Sequence, residues 1–184
     1  MSKLVNRRLA KALVFIAAVV AIHVLTIWAA PRLIMQVVMN GSRAQALNMQ
    51  NRAAFSNPIT AASRDVVMPS PDMLYSMCVF DLSNGPVRVA ADPKLKSYWS
   101  IALYAANSDN FFVVNDRQAA GAPVDLWLVA GDGNAGTAPA GSKVINSPST
   151  QGFLLMRVLT GNYEAEKSVV EPARRTLRCE PGQR

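Results

Sequence analysis

Positions 12–30 read ALVFIAAVVAIHVLTIWAA, 19 residues without a charge. As a helix rising about 1.5 Å per residue, this run spans roughly 28 Å, the thickness of a bilayer's hydrocarbon core. A cleavable secretory signal has a shorter apolar region, about 7–15 residues, and ends in a small-x-small cleavage site. Cutting after Ala30 would put Trp28 at the third position back, and cutting after Ala29 would put Ile27 there. Both are poor sites, so an uncleaved anchor is expected.

Lys3, Arg7, Arg8 and Lys11 precede the run, whereas Arg32 and Arg43 are the cations in the corresponding stretch after it. The positive-inside rule then predicts a cytoplasmic N-terminus, with everything after Pro31 outside. Trp28, near the far end, suits the interfacial aromatic belt. The expected location is a bacterial inner membrane crossed once, with a periplasmic C-terminal domain. His23 falls inside the span, where an ionisable group is by default a functional candidate. A lone neutral histidine near Thr26, with no acidic partner in the run, is the plainer reading.

The formal charge of +7 invites a nucleic-acid reading, but its distribution argues otherwise. Five of the 19 cations lie in the first forty residues and four more, Arg174, Arg175, Arg178 and Arg184, close the chain. Residues 41–173 carry ten cations against eleven acids, so a basic face able to track phosphates is not evident and no nucleic-acid partner is expected.

Residues 31–60 carry apolar positions at mixed helical spacing, broken by the turn-forming Asn40-Gly41 and closed by Asn57-Pro58. They predict a juxtamembrane helical connector between a basic tail (1–11), the span (12–30) and a folded domain (61–178). Residues 179–184 read as a tail. Within the domain, short runs rich in β-branched and aromatic residues predict strands at 74–81, 87–90, 98–105, 111–115, 124–130, 143–146 and 152–159. Pro, Gly, Asn and Asp punctuate them, as at Ser83-Asn84-Gly85-Pro86 and Asp92-Pro93. About seven short strands at this spacing predict a mainly β domain, a sandwich or open barrel. A closing helix is predicted at 163–177, interrupted by Pro172.

Cys78 and Cys179 are too few for a thiolate metal site and too far apart for a CxxC pair. In an oxidising compartment they could bridge; otherwise Cys78 is a buried half-apolar side chain and Cys179 a tail thiol. His23 is the one histidine, so outside the span no Ser-His-Asp or Cys-His arrangement, His-ligated metal or His base can be assembled. No cofactor or metal is expected. Gly131-Asp132-Gly133-Asn134-Ala135-Gly136 resembles half of a calcium loop but lacks the further carboxylates, and reads as a turn. Arg117, beside Asp116, could clamp an anion or serve as a sheet-edge ion pair. Asp72, ahead of a strand, could close a turn, while Tyr75 and Ser76 alternate across that strand.

The string Pro69-Ser70-Pro71-Asp72-Met73-Leu74-Tyr75-Ser76 is followed by Asp81-Leu82-Ser83-Asn84-Gly85-Pro86 and Tyr98-Trp99-Ser100. With the 104–112 segment, Asp116-Arg117, Pro139-Ala140-Gly141 and Ser147-Pro148, it resembles the domain of unknown function numbered 1254 over residues 64–177. Ser70, Pro71 and Met73 stand where that family commonly carries Asn-Asn and Thr around the Asp. The resemblance implies a β-sandwich module and a companion domain, of the family numbered 1214, as a separate partner. Two functional readings follow. One is an envelope module binding a partner protein or a small ligand. The other is a His-independent enzyme acting on a sugar, lipid or ester, for which Asp72, Tyr75, Asp109 and Arg117 would have to converge in a pocket.

Overall fold

The computed structural model describes residues 2–60, 62–63, 69–131 and 138–182. One helix, α1 (Ser2–Asn40), runs for 39 residues straight through Pro31. It is long and apolar enough to cross a membrane. Near Pro31, Arg32 donates to the Trp28 carbonyl at 2.6 Å and lays its guanidinium 4.5 Å from the Trp28 ring centre. The helix therefore continues past residue 30 as a single rod and stops at the Asn40-Gly41 dipeptide. Gly41 is needed there, because a Cβ would collide with the Val37 carbonyl oxygen that accepts from the Gly41 N–H. A five-residue helix, α2 (Ser42–Ala46), follows the turn.

Among the described residues nine strands follow: β1 (Ala54–Phe55), β2 (Met73–Asp81), β3 (Val87–Ala91), β4 (Trp99–Ala105), β5 (Asn110–Asn115), β6 (Val124–Ala130), β7 (Lys143–Ser147), β8 (Gln151–Leu159) and β9 (Arg178–Pro181). Between them lie α3 (Asp116–Ala119) and α4 (Tyr163–Arg174). They form two sheets, ordered β1-β2-β8-β4-β5 (sheet A) and β7-β6-β3-β9 (sheet B), and neither closes into a barrel. The seven strands expected from the sequence are all present, their ends moved by no more than one residue.

Two strands were not legible. β1 lies inside the stretch expected to be helical connector, and β9 occupies positions read as a solvated tail. β9 pairs with β3 from Arg178 opposite Ala90 to Pro181 opposite Val87, so the chain end is a sheet edge. Alternation fails to mark either because they are two and four residues long. The pairing of β7 with β6 is parallel.

The inner faces of the two sheets form the core. Leu74, Phe80, Ile101, Leu103, Leu154, Met156 and Val158 from sheet A meet Val87, Val89, Leu126 and Leu128 from sheet B, all almost fully buried. Within sheet A, Gly152 leaves room for the Phe80 ring, because a Cβ there would run into that ring and the Tyr104 carbonyl. α4 carries the chain from sheet A to sheet B and inserts Val170 into the core. Asn162 caps its start by accepting from the Ala165 N–H, and Glu166 reaches back to the Thr160 hydroxyl and Gly161 N–H. The expected interruption at Pro172 does not occur. This proline sits in the last turn, where it removes one intrahelical bond, and the helix runs on to Arg174.

Cys78 of β2 and Cys179 of β9 are joined by a disulfide across a separation of 101 residues. The bridge crosses the core from sheet A to sheet B and fastens the terminal strand. In the chain-entropy account, a loop of about 100 residues gives about 4–5 kcal/mol. Replacing both cysteines with alanine is expected to lower stability by that order in urea unfolding, with β9 amides losing hydrogen-exchange protection first. An unfolding midpoint unchanged by the double substitution would remove the bridge from the stability account.

Candidate functional site

β2 is apolar on both faces. Its inward side chains enter the core, while Met77 and Val79 point the other way. On that outer face they meet Met35 and Met39 from the end of α1, together with Ala44, Met49 and Ala54. Four methionines at one contact give an unbranched, polarizable lining that fills irregular space. The end of α1 is thus packed on sheet A, and Met35 and Met39 are only 7% and 4% exposed.

Beside this contact opens a cleft of about 430 Å³. Its floor is the outer face of sheet A, with Met77 and Tyr75 from β2, Leu155 and Phe153 from β8, and Tyr104 from β4. Met35 and Val38 of α1 form one wall, and Ile59, Ser63 and Pro69 of the connector form the other. The volume lies within the roughly 300–1,000 Å³ range of small-molecule sites, and the lining is almost wholly apolar.

Two polar nodes hold the connector against the sheet. At one, Asn51 accepts from the Asp81 N–H and donates to the Asp81 carbonyl, while the Asp81 carboxylate accepts from Gln50, Gln151 and Ser83. Burial pushes this carboxyl up, but the hydrogen bonds from Ser83, Gln151 and Gln50 outweigh it and hold Asp81 below its usual range. At the other, Arg174, 2% exposed, donates to the carbonyls of Ser56 and Tyr75 and to Glu171 at 2.6 Å. Glu171 also accepts from Tyr163 and Arg175. Burial raises its carboxyl, and Arg174, Tyr163 and Arg175 together bring it below the ordinary value.

The residues singled out from the sequence do not converge. Tyr75 lines the cleft, and its hydroxyl accepts from the Ser70 N–H at 3.0 Å. Ser76, its neighbour, faces the opposite side and is 1% exposed. Asp72 is exposed ahead of β2, where its carbonyl accepts from the Thr160 N–H. Asp109 is exposed in the β4–β5 turn, beyond the other end of sheet A, and accepts from the Asn107 amide at 2.6 Å. Arg117 is exposed on α3, whose start is fixed by a reciprocal capping box between Asn115 and Gln118. The convergence that the enzymatic reading requires is not present in this geometry. Apart from Gly131, the calcium-like turn at 131–136 lies outside the described residues. Among the described residues no group of acids, histidines and cysteines is arranged to hold a metal ion.

The model of the family described as "Protein of unknown function (DUF1254)" matches residues 49–181, more than half of the chain. The crystal structure of the VPA0106 protein from Vibrio parahaemolyticus superposes with a TM-score of 0.65 over 86% of this chain, at 18% identity. This chain spans 40% of that protein's length. An uncharacterised protein from Burkholderia cenocepacia aligns with a TM-score of 0.47 at 14% identity, covering 65% of this chain and 34% of its own. At these identities the likenesses speak to the fold alone. No curated protein matches the sequence.

The depressed carboxyls make a pH prediction. With a folded value below the unfolded one of about 4, each group contributes stability above pH 4 that is lost as pH falls through its folded value. Stability is expected to be flat between about pH 5 and 7 and to fall below about pH 4. Asp81→Asn is expected to cost about 1–2 kcal/mol at pH 7 and to flatten the acid limb, read by denaturant titration at each pH. Superimposable pH profiles for the two proteins would exclude Asp81 as a contributor.

Proposed function

We propose that this chain, which belongs to the DUF1254 family, is a membrane-anchored β-sandwich module that holds the hydrocarbon part of an amphiphile between α1 and sheet A. In this reading α1 crosses the bacterial inner membrane with its N-terminus in the cytoplasm, and the β domain stands in the periplasm. The asymmetry of Lys3, Arg7, Arg8 and Lys11 against Arg32 and Arg43 supports that orientation.

The observation that carries the reading is the wall of the cleft. It is built from the same helix that forms the anchor, at Met35 and Val38. Val38 lies eight residues beyond the end of the uncharged run, roughly 12 Å along a helix. Leu33, Ile34 and Val37 stay largely exposed over that distance, so an apolar path runs from the bilayer region to the cleft. A hydrocarbon chain could follow it without full transfer through water, whose cost is about 0.8 kcal/mol per CH₂.

A second reading, docking of a separate companion protein such as one of the 1214 family, is favoured by one observation. The Vibrio protein carries more than this fold, since the shared part is 40% of its length.

The first reading is tested with the full-length protein in nanodiscs, titrated with a neutral, environment-sensitive apolar probe. Saturable binding at one site is expected, and Val38→Glu, which places a charge in the cleft, should weaken it at least about tenfold. Equal binding by both forms would exclude the cleft as the site. Absence of saturable binding, with a stoichiometric protein captured by the β domain, would favour the second reading.

A further inference from the structure

Arg157 and Ser100 lie on the same face of sheet A as the cleft, beside its floor and outside its lining. Arg157 of β8 pairs with Tyr75 of β2 on one flank and with Ser100 of β4 on the other. Tyr75 is part of the cleft floor, and so is Leu155, two residues from Arg157 and therefore on the same face. Trp99, Ile101 and Leu103 point into the core, which leaves Ser100 and Tyr104 on the outer face with Arg157. Residues directly opposite in a ladder hold their Cβ atoms about 5 Å apart, so the two side chains leave the sheet side by side.

Each carries a buried polar atom with no hydrogen-bond partner among the described residues. Ser100 is 0% exposed and its hydroxyl makes no hydrogen bond among the described residues. The Nε of the half-buried Arg157 is likewise sealed from solvent and without a partner. Buried polar atoms of native proteins are hydrogen-bonded in the large majority of cases, and a buried donor left unsatisfied costs about 1–3 kcal/mol. The buried Arg174 also has an Nε without a partner, but its two terminal nitrogens are bonded to Glu171 and two carbonyls. The partner that Arg157 and Ser100 lack is an acceptor, and for the guanidinium a negatively charged one.

We infer that Arg157 and Ser100 form the headgroup end of the cleft and that its ligand is a long-chain carboxylate, an inference that rests on the amphiphile reading above. A carboxylate is planar and carries one negative charge. It matches the fork of a single guanidinium, and its second oxygen can accept from the serine hydroxyl. The hydrocarbon then extends over Leu155, Met77 and Phe153 toward α1.

The test uses the full-length protein in nanodiscs of zwitterionic lipid and three probes with the same chain: a fluorescent fatty acid, its methyl ester and the corresponding alkyl phosphate. The acid is expected to bind at least about tenfold more tightly than the ester. Arg157→Gln should abolish that preference, Arg157→Lys should restore part of it, and Ser100→Ala should reduce it severalfold. Equal binding of acid and ester by the unaltered chain, with both weakened by Val38→Glu, would overturn the headgroup assignment and leave the cleft reading standing. Failure of all three probes to saturate would overturn both. An alkyl phosphate that binds more tightly than the acid and depends on Arg157 would overturn the carboxylate assignment. The acid–ester comparison on the unaltered chain decides the matter even where Arg157→Gln fails to fold.

Discussion

The pairing of β2 with β8 is the contact on which the rest of the molecule depends. It runs through nine consecutive residue pairs, from Met73 opposite Leu159 to Asp81 opposite Gln151. Both strands are apolar on both sides, so the pair is the middle layer between two hydrophobic contacts. Its inner face, through Leu74, Phe80, Leu154 and Met156, builds the sandwich core with sheet B. Its outer face, through Met77, Val79, Phe153 and Leu155, receives the end of α1. A one-residue slip would exchange the two faces and lose both contacts together.

This two-sided strand explains why α1 and the β domain are not joined by a loose tether. Residues 41–56 turn back along the sheet, and their backbone groups find partners there. The Asn51 N–H donates to the Val79 carbonyl, the Ser56 N–H donates to the Tyr75 carbonyl, and Arg174 takes the Ser56 carbonyl. Arg174 and Arg175 also lie over the Phe55 ring, at 5.7 and 5.0 Å from its centre. A buried arginine is costly without compensation. Here Glu171, two carbonyls and an aromatic face supply it, and α4, β1 and β2 are fixed in one place. The cleft exists because this connector crosses the outer face of sheet A without covering all of it.

Much of the β domain was legible because strand ends coincide with punctuation. Gly85-Pro86 precedes β3, Asn107-Ser108-Asp109 separates β4 from β5, and Ser147-Pro148 separates β7 from β8. The candidate site was not legible to the same degree. Tyr75 was singled out by its place in a motif, whereas Arg157 and Ser100 carried no local signal. They sit in apolar strands 57 residues apart, and only the β4–β8 register makes them neighbours. Asp72, Asp109 and Arg117 have strong chemistry and marked positions in the sequence, yet each sits at the end of a different element and faces solvent.

The sequence by itself determined a long apolar helix at the N-terminus and a mainly β domain behind it. It also determined that His23 in that helix is the one histidine available for chemistry. These are properties of local composition, which periodicity and turn residues encode directly. Tertiary structure alone decided that α1 runs unbroken to Asn40, that residues 178–181 are a strand, that Cys78 reaches Cys179, and that one face of sheet A is half covered and half open. The reason is that alternation tells which side chains share a face but not what that face meets. In β2, read as MLYSMCVFD, both faces are apolar, so the choice between core and helix waits for strand register and for contacts distant in the chain.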